Sequence, residues 1–129
     1  MGVLFVKKEY FYIFLCQISF KMKKVRTKLF ETVTNKVKET ARYFDPNAEV
    51  ILFGSRARGD YRKDSDWDFL ILTDLSVDWK LKDKIRDKIF DTELETETAI
   101  FSLVKNREEW KQTNFLEINQ NIFQDGIKI

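Results

Sequence analysis

The sequence predicts a small α/β (α+β) protein with a mixed β-sheet flanked by helices. Two apolar runs, 50–53 and 69–72, are rich in Val, Ile, Leu and Phe and are too short for helices. A third apolar run, 99–104, follows a polar stretch. Apolar residues recur at helical spacing before the first run and between the second and the third. We therefore expect central strands at about 49–53, 68–72 and 99–104.

Helices are predicted around these strands. The first has an apolar stripe that starts at Val25, and it should end before Asp45 because a residue that precedes a proline is disfavoured in a helix. The second spans about 77–91. A final helix should open at Asn106, whose side chain can cap it, and end at Gly126.

The first 21 residues do not share this pattern. The apolar run Tyr10–Cys16 has seven residues, far fewer than the roughly 18 that span a membrane. Because Met22 directly precedes the first patterned helix, we expect residues 1–21 to be an extension that arises from an upstream start codon, and 22–129 to be a single domain. A packed extra element and a membrane-targeting segment are the two alternatives.

Composition restricts the chemistry. The sequence has no histidine and a single cysteine, Cys16, which excludes an intrachain disulfide and the usual imidazole chemistry at zinc or in proton transfer. Any catalysis must therefore use carboxylates, a metal or both. The net charge is +2, but residues 1–63 contain 14 basic and 6 acidic side chains, whereas 64–129 contain 9 and 15. This asymmetry indicates either solvated helix faces or a basic side that attracts a nucleotide or an acidic partner.

The candidate binding and catalytic residues lie between the first two strands. Gly54 permits a tight turn after the first strand, and Ser55 adds a hydroxyl where exposed backbone N–H groups would suit phosphate. Ten residues separate Ser55 from Asp66, and Asp68 follows two positions later at the start of the second strand. Both carboxylates should therefore point to one face of that strand, where they would form a hard oxygen site for Mg²⁺.

Alternative explanations exist for these residues. In a calcium loop that starts at Asp64, Phe69 would have to be glycine and Leu75 glutamate, so that interpretation fails. If the acidic pair only interrupted a loop, two like charges would lie on an apolar strand with nothing to offset them. For Arg56 and Arg58 the alternatives are ordinary surface charge and a guanidinium grip on phosphate oxygens.

The pattern Gly54-Ser55, ten residues, Asp66-x-Asp68 and an apolar strand resembles the active-site signature of the DNA polymerase beta-type nucleotidyltransferases. Among these it is most similar to the minimal nucleotidyltransferase (MNT) proteins of prokaryotes. The resemblance implies a nucleotidyltransferase-like fold in which the Gly-Ser turn, with Arg56 or Arg58, binds the triphosphate, and the paired aspartates hold the metal.

The same resemblance implies a reaction. A nucleoside monophosphate, AMP from ATP, would move to a hydroxyl at a two-metal Mg²⁺ site bridged by Asp66 and Asp68. Family members that catalyse usually have a third carboxylate on the next strand, for which Glu97 is the best substitute and Glu95 the next. Ser102 at that position would instead leave nucleotide binding without catalysis. An enzyme and a non-catalytic, antitoxin-like binding module both remain open.

The resemblance also implies a partner protein. In MNT antitoxins the partner is often a HEPN-domain toxin, which is either modified or neutralised by contact. A protein hydroxyl is therefore expected as the acceptor, ahead of a small antibiotic or the end of a tRNA. We expect a cytoplasmic protein that associates neither with nucleic acid nor with a membrane.

Overall fold

The computed structural model describes residues 27–113 and 117–129 of the chain. The chain divides into two units, Met1–Glu31 and Thr32–Ile129, and every strand of the described residues belongs to the second unit. The predicted extension over residues 1–21 lies outside the described residues.

Helices and strands alternate along most of the chain. In order they are α1 (Lys28–Phe44), β1 (Glu49–Phe53), α2 (Ser55–Arg58), β2 (Trp67–Thr73), α3 (Trp79–Thr96), β3 (Ile100–Asn106), α4 (Arg107–Gln112), α5 (Glu117–Asp125) and β4 (Ile127–Lys128). The predicted α/β class is confirmed, and the three predicted strands are found within one or two residues of their expected bounds.

The sheet has the strand order β3-β2-β1-β4 and is mixed. The central strand β2 runs antiparallel to β1 and parallel to β3, and β1 is antiparallel to β4. Because β2 runs antiparallel to β1, its first residues lie beside the last residues of β1, and Asp68 pairs with Phe53. The chain between these strands therefore returns the acidic pair to the turn that follows β1.

Both faces of β2 are buried. On one face Leu70 and Leu72 cluster with Ile122 of α5. On the other, Phe69 and Ile71 are at most 1% exposed. The strand β2 is thus almost wholly buried, with a carboxylate, Asp68, as its second residue.

The helix α3 is longer than predicted. The apolar stripe at Ile85 and Ile89 continues at helical spacing through Thr92, which is 5% exposed although its side chain is polar. The Thr96 hydroxyl donates to the carbonyl of Thr92 at 2.6 Å, and the helix ends at Glu97 in a left-handed conformation, with φ of 52°. The last turn was not predicted because its buried residue, Thr92, is polar and lies within an acidic stretch.

The final helix is also different from the prediction. Asn106 caps a helix as expected, since its Oδ1 accepts from the N–H groups of Glu108 and Glu109. That helix, α4, ends at Gln112, and a separate helix, α5, follows from Glu117. The short strand β4 after Gly126 was not predicted.

Asp45 connects the end of α1 to the end of β2. It is 6% exposed; its Oδ2 accepts from the Thr73 hydroxyl at 2.7 Å and from the Asp74 N–H at 2.9 Å, and its Oδ1 accepts from the Asn47 N–H. The hydrogen bond from Thr73 is the main reason that the pKa of Asp45 lies below its usual value; burial opposes this effect, and the charge of Arg107 adds to it. Arg107 also donates to the Asn47 carbonyl, at 2.7 Å.

Replacing Asp45 with Asn is expected to destabilise the fold by about 1–3 kcal/mol at pH 7, because the amide NH₂ has to face at least one of the three donors that now bond to the carboxylate. Since the pKa of Asp45 is lowered by folding, its contribution is complete above the unfolded value of about 3.9 and is lost as the pH falls through the lower folded value. The free energies of unfolding of the wild type and of Asp45→Asn in urea should therefore differ at pH 7, and the difference should shrink as the pH falls below about 3.9.

The matched control is Asp87→Asn, at an exposed position on α3, which should change stability by less than about 0.5 kcal/mol. A stability gap between wild type and Asp45→Asn that is equally large at pH 3 would contradict the assigned role of the carboxylate charge.

Candidate active site

The turn after β1 is built on Gly54. Its φ of 75° and ψ of −159° lie in a region that only glycine adopts readily, and its carbonyl accepts from the N–H groups of Ala57 and Arg58 to start α2. A Cβ on Gly54 would collide with Asp68 Oδ2. The Asp68 carboxylate therefore lies directly against the turn, as close as a glycine backbone allows.

Asp66 and Asp68 come together at the start of β2, at the edge of the Gly54 turn. Asp68 is half-buried and Asp66, just before the strand, is exposed. Burial raises the pKa of Asp68 above its usual value, the negative charge of Asp66 raises it further, and the charge of Arg58 opposes both. The two carboxylates are therefore electrostatic neighbours, and a cation would relieve their repulsion.

Arg58 is the basic residue at this site. Its Nη1 donates to Asp125 Oδ2 of α5 at 3.0 Å, and its Nε lies 3.3 Å from Asp60 Oδ1. The hydrogen bond that Arg58 donates to Asp125 is the main reason that the pKa of Arg58 is raised. The side chain of Arg58 is 45% exposed. Its guanidinium can therefore bind a phosphate in place of one of the two carboxylates that it now contacts.

Arg56 has a different environment from the one expected of a phosphate ligand. It is 6% exposed, its Nε and Nη2 donate to the carbonyl of Ser65, and Nη2 also donates to the carbonyl of Lys63. Its Cζ lies 4.2 Å from the ring centre of Tyr61 and 4.6 Å from that of Trp67. The contacts of Arg56 thus hold the loop between α2 and β2, and its role in phosphate binding stays a prediction.

The position beside the acidic pair on the next strand is occupied by Phe101. In the parallel β2–β3 register, Asp68 pairs with Phe101, and Ser102 pairs with Phe69 on the opposite face. Neither an acid nor Ser102 therefore lies next to Asp68 on β3. Phe101 is 49% exposed, and sequence analysis missed it because the register between two strands is set by tertiary packing.

The candidates for a third carboxylate lie elsewhere. Glu97 is at the C-terminal cap of α3, and Glu95 forms an ion pair with Lys36 of α1. Across residues 27–113 and 117–129, no three Asp, Glu, Cys or His side chains gather in an arrangement that could hold a metal ion. The described residues thus supply a pair of carboxylates and not a triad.

A shallow pocket of about 330 Å³ opens beside Asp66. Phe101 and Ser102 of β3 form one part of its lining, and Arg86 and Glu93 of α3 another. Arg86 Nη1 donates to Glu93 Oε1 at 3.0 Å and to the carbonyl of Ile100 at 3.1 Å, which ties α3 to the first residue of β3. Arg86 and Glu93 were not singled out from the sequence, because charges on a helix give no sign of which strand they contact.

The site fits a magnesium ion. Mg²⁺ keeps several waters and is commonly bound through one or two carboxylates together with oxygens of a substrate phosphate. Asp66 and Asp68 provide two carboxylates, and the missing Cβ at Gly54 lets the Asp68 carboxylate lie directly against the turn. The N–H groups of Ala57 and Arg58 donate to the Gly54 carbonyl, which leaves those of Ser55 and Arg56, at the start of α2, as the candidates for binding such an anion.

Comparison with known protein families identifies this chain's family. Residues 34–129 match the family model described as Nucleotidyltransferase domain. No curated protein matches the chain. Separately, in the part of the chain that the structure describes, no helix has the length and apolar character needed to cross a membrane.

Proposed function

This chain belongs to the nucleotidyltransferase domain family, and we propose that it transfers AMP from ATP onto a hydroxyl group of a partner protein. The single observation that supports this function best is the contact between Asp68 and Gly54. It joins a carboxylate that can hold a metal to a turn that can hold phosphates. A nucleotide with its counter-ion needs both at the same place.

In this proposal the residues have separate tasks. The Ser55 hydroxyl and the N–H groups at the start of α2 bind the β- and γ-phosphates, and Arg58 adds its guanidinium. Asp66 and Asp68 hold Mg²⁺, which when bound neutralises the charge of the leaving group and lowers the pKa of the acceptor hydroxyl. The acceptor oxygen bonds to the α-phosphorus, the bond from that phosphorus to the bridging oxygen breaks, and pyrophosphate and the hydroxyl proton depart.

The acceptor is proposed to approach through the pocket beside Asp66. That pocket is lined by the aromatic ring of Phe101 and by polar groups, and it is open enough for a side chain presented by another protein. A HEPN-domain toxin is the proposed partner, as in the MNT antitoxins that the Gly54–Asp68 motif resembles.

A second candidate is a binding module that holds nucleotide and partner without catalysis. It is favoured by Phe101, which takes the strand position beside Asp68 where a third carboxylate would help to activate the acceptor. In that case the partner is neutralised by contact alone.

Transfer is expected to label a co-expressed partner protein when [α-³²P]ATP and Mg²⁺ are supplied, but not when [γ-³²P]ATP is used, because only the α-phosphate stays with the product. The measurement is autoradiography of the separated proteins. The control is Asp66→Asn with Asp68→Asn, which should give no label at all.

The two candidates give opposite results in this assay. If no label appears on any protein, and the double variant neutralises the partner as well as the wild type does, the enzyme is excluded and the binding module remains. Equal labelling by the wild type and the double variant would remove both aspartates from the proposed mechanism.

A further inference from the structure

Arg56 is an arginine buried immediately after the Gly-Ser turn. Only 6% of it is exposed, and among the described residues its guanidinium forms no ion pair. A buried cation is costly unless other groups compensate it, so its surroundings have to supply that compensation. Those surroundings belong almost entirely to the loop that leads to Asp66.

Backbone carbonyl oxygens accept hydrogen bonds from the edge of the guanidinium. Nη2 donates to Ser65 O at 3.1 Å and to Lys63 O at 3.2 Å, and Nε donates to Ser65 O at 3.3 Å. Ser65 is the residue directly before Asp66. The backbone that enters the acidic pair is therefore attached to α2 by a fork of hydrogen bonds.

Two aromatic rings make cation–π contacts with the guanidinium. Its Cζ lies 4.2 Å from the ring centre of Tyr61, near the start of the loop, and 4.6 Å from that of Trp67. Trp67 is the residue directly after Asp66 and is 2% exposed. Arg56 consequently contacts both chain neighbours of Asp66, which leaves that residue little freedom to move relative to the Gly-Ser turn.

We infer that Arg56 is a positioning residue that holds the Asp66 carboxylate in register with Asp68 and the Gly54 turn, and so sets the affinity of the site for a divalent metal. The inference rests on the proposed function, since it assumes that the acidic pair holds the metal. Arg56 acts here by geometry: among the charges that shift the pKa of Asp68, the cation is Arg58 and not Arg56.

The test uses Arg56→Lys in the full chain. Lysine keeps the positive charge but loses the planar fork that bonds to two carbonyls and the flat faces that stack on two rings. Mn²⁺ alone is the probe, followed through the relaxation rate of water protons. Arg56→Lys is expected to weaken Mn²⁺ binding by about 10- to 100-fold, the usual effect of removing a group that orients a metal ligand.

A thermal unfolding scan separates positioning from stability. Mn²⁺ affinity is compared well below the unfolding midpoint, where a purely structural role would leave the affinity of the folded protein unchanged. The matched control is Arg62→Lys, in the same loop and exposed, which should bind Mn²⁺ like the wild type. If Arg56→Lys does not fold, Tyr61→Leu is used, because it keeps the hydrogen bonds and removes one aromatic face; a weakening of about two- to five-fold is then expected.

The outcomes are distinct. Wild-type Mn²⁺ affinity in the folded Arg56→Lys or Tyr61→Leu variant would overturn the inference and leave the proposed function standing. If the wild type binds Mn²⁺ no better than Asp66→Asn with Asp68→Asn does, the proposed metal site is wrong, and the inference falls with it.

Discussion

Replacing Asp66 and Asp68 together with Asn is expected to abolish Mg²⁺-dependent ATP binding while the protein stays folded. Asparagine keeps the shape of each side chain but removes the charges that would hold the cation and, through it, the triphosphate. The loss should be at least about 100-fold, the upper end of what removing a supporting residue costs a metal site. Isothermal titration with ATP, in the presence and absence of Mg²⁺, measures it.

The thermal stability of this double variant should be unchanged or higher. The raised pKa of Asp68 shows that its charge is disfavoured by burial and by Asp66, so neutral amides remove a repulsion that the folded state otherwise bears. Asp64→Asn with Asp87→Asn is the matched control, since it removes the same number of charges from exposed positions. Undiminished Mg²⁺-dependent ATP binding in Asp66→Asn with Asp68→Asn would defeat both proposed functions.

Gly54→Ala is expected to destabilise the protein strongly and to weaken nucleotide binding. The alanine would have to adopt a φ of 75°, and its Cβ would strike Asp68 Oδ2. Strain and displacement together should cost about 2–5 kcal/mol, and the shifted carboxylate should also lose the metal. Urea unfolding and titration with Mg²⁺ and ATP measure the two effects.

Gly59→Ala is the matched control for that change. Gly59 also has a positive φ, 90°, but a Cβ there would meet no atom within 4 Å. It should cost only about 1–2 kcal/mol of backbone strain and leave nucleotide binding intact. Equal losses at Gly54 and Gly59 would show that the close approach of Asp68 to the turn does not matter.

Three strands of the sheet and the turn at Gly54 could be predicted because their signals are local in sequence. Short apolar runs define strands, and Gly54 needs no distant residue to explain its conformation. The alternation of Asp66 and Asp68 fixes their common face once a strand follows them. Antiparallel pairing of β1 with β2 then brings them to the turn, because a loop of only eight residues, 59–66, connects the end of α2 to β2.

The environments of Arg56 and Phe101 could not be predicted, because each depends on a contact between distant parts of the fold. Nothing in the sequence separates Arg56 from Arg58, yet one lies between two aromatic rings and the other is nearly half exposed. Phe101 faces the acidic pair because of the β2–β3 register, and a shift of one residue would have put Ser102 there instead.

The two ends of β2 have different roles: one lies at the proposed metal site, and the other is bonded to a residue that stabilises the fold. Near one end, Asp68 is repelled by the negative charge of Asp66. Thr73, five residues later and about 16 Å along the strand, donates a hydrogen bond to Asp45. Domains of this size have a net stability of only about 5–15 kcal/mol, so losing the hydrogen bonds of Asp45 would remove a substantial fraction of it. Substitutions at Asp45 or Arg107 are therefore expected to reduce the fraction of molecules that remain folded in a cell. They would lower activity in this way although neither residue lies at the proposed nucleotide site.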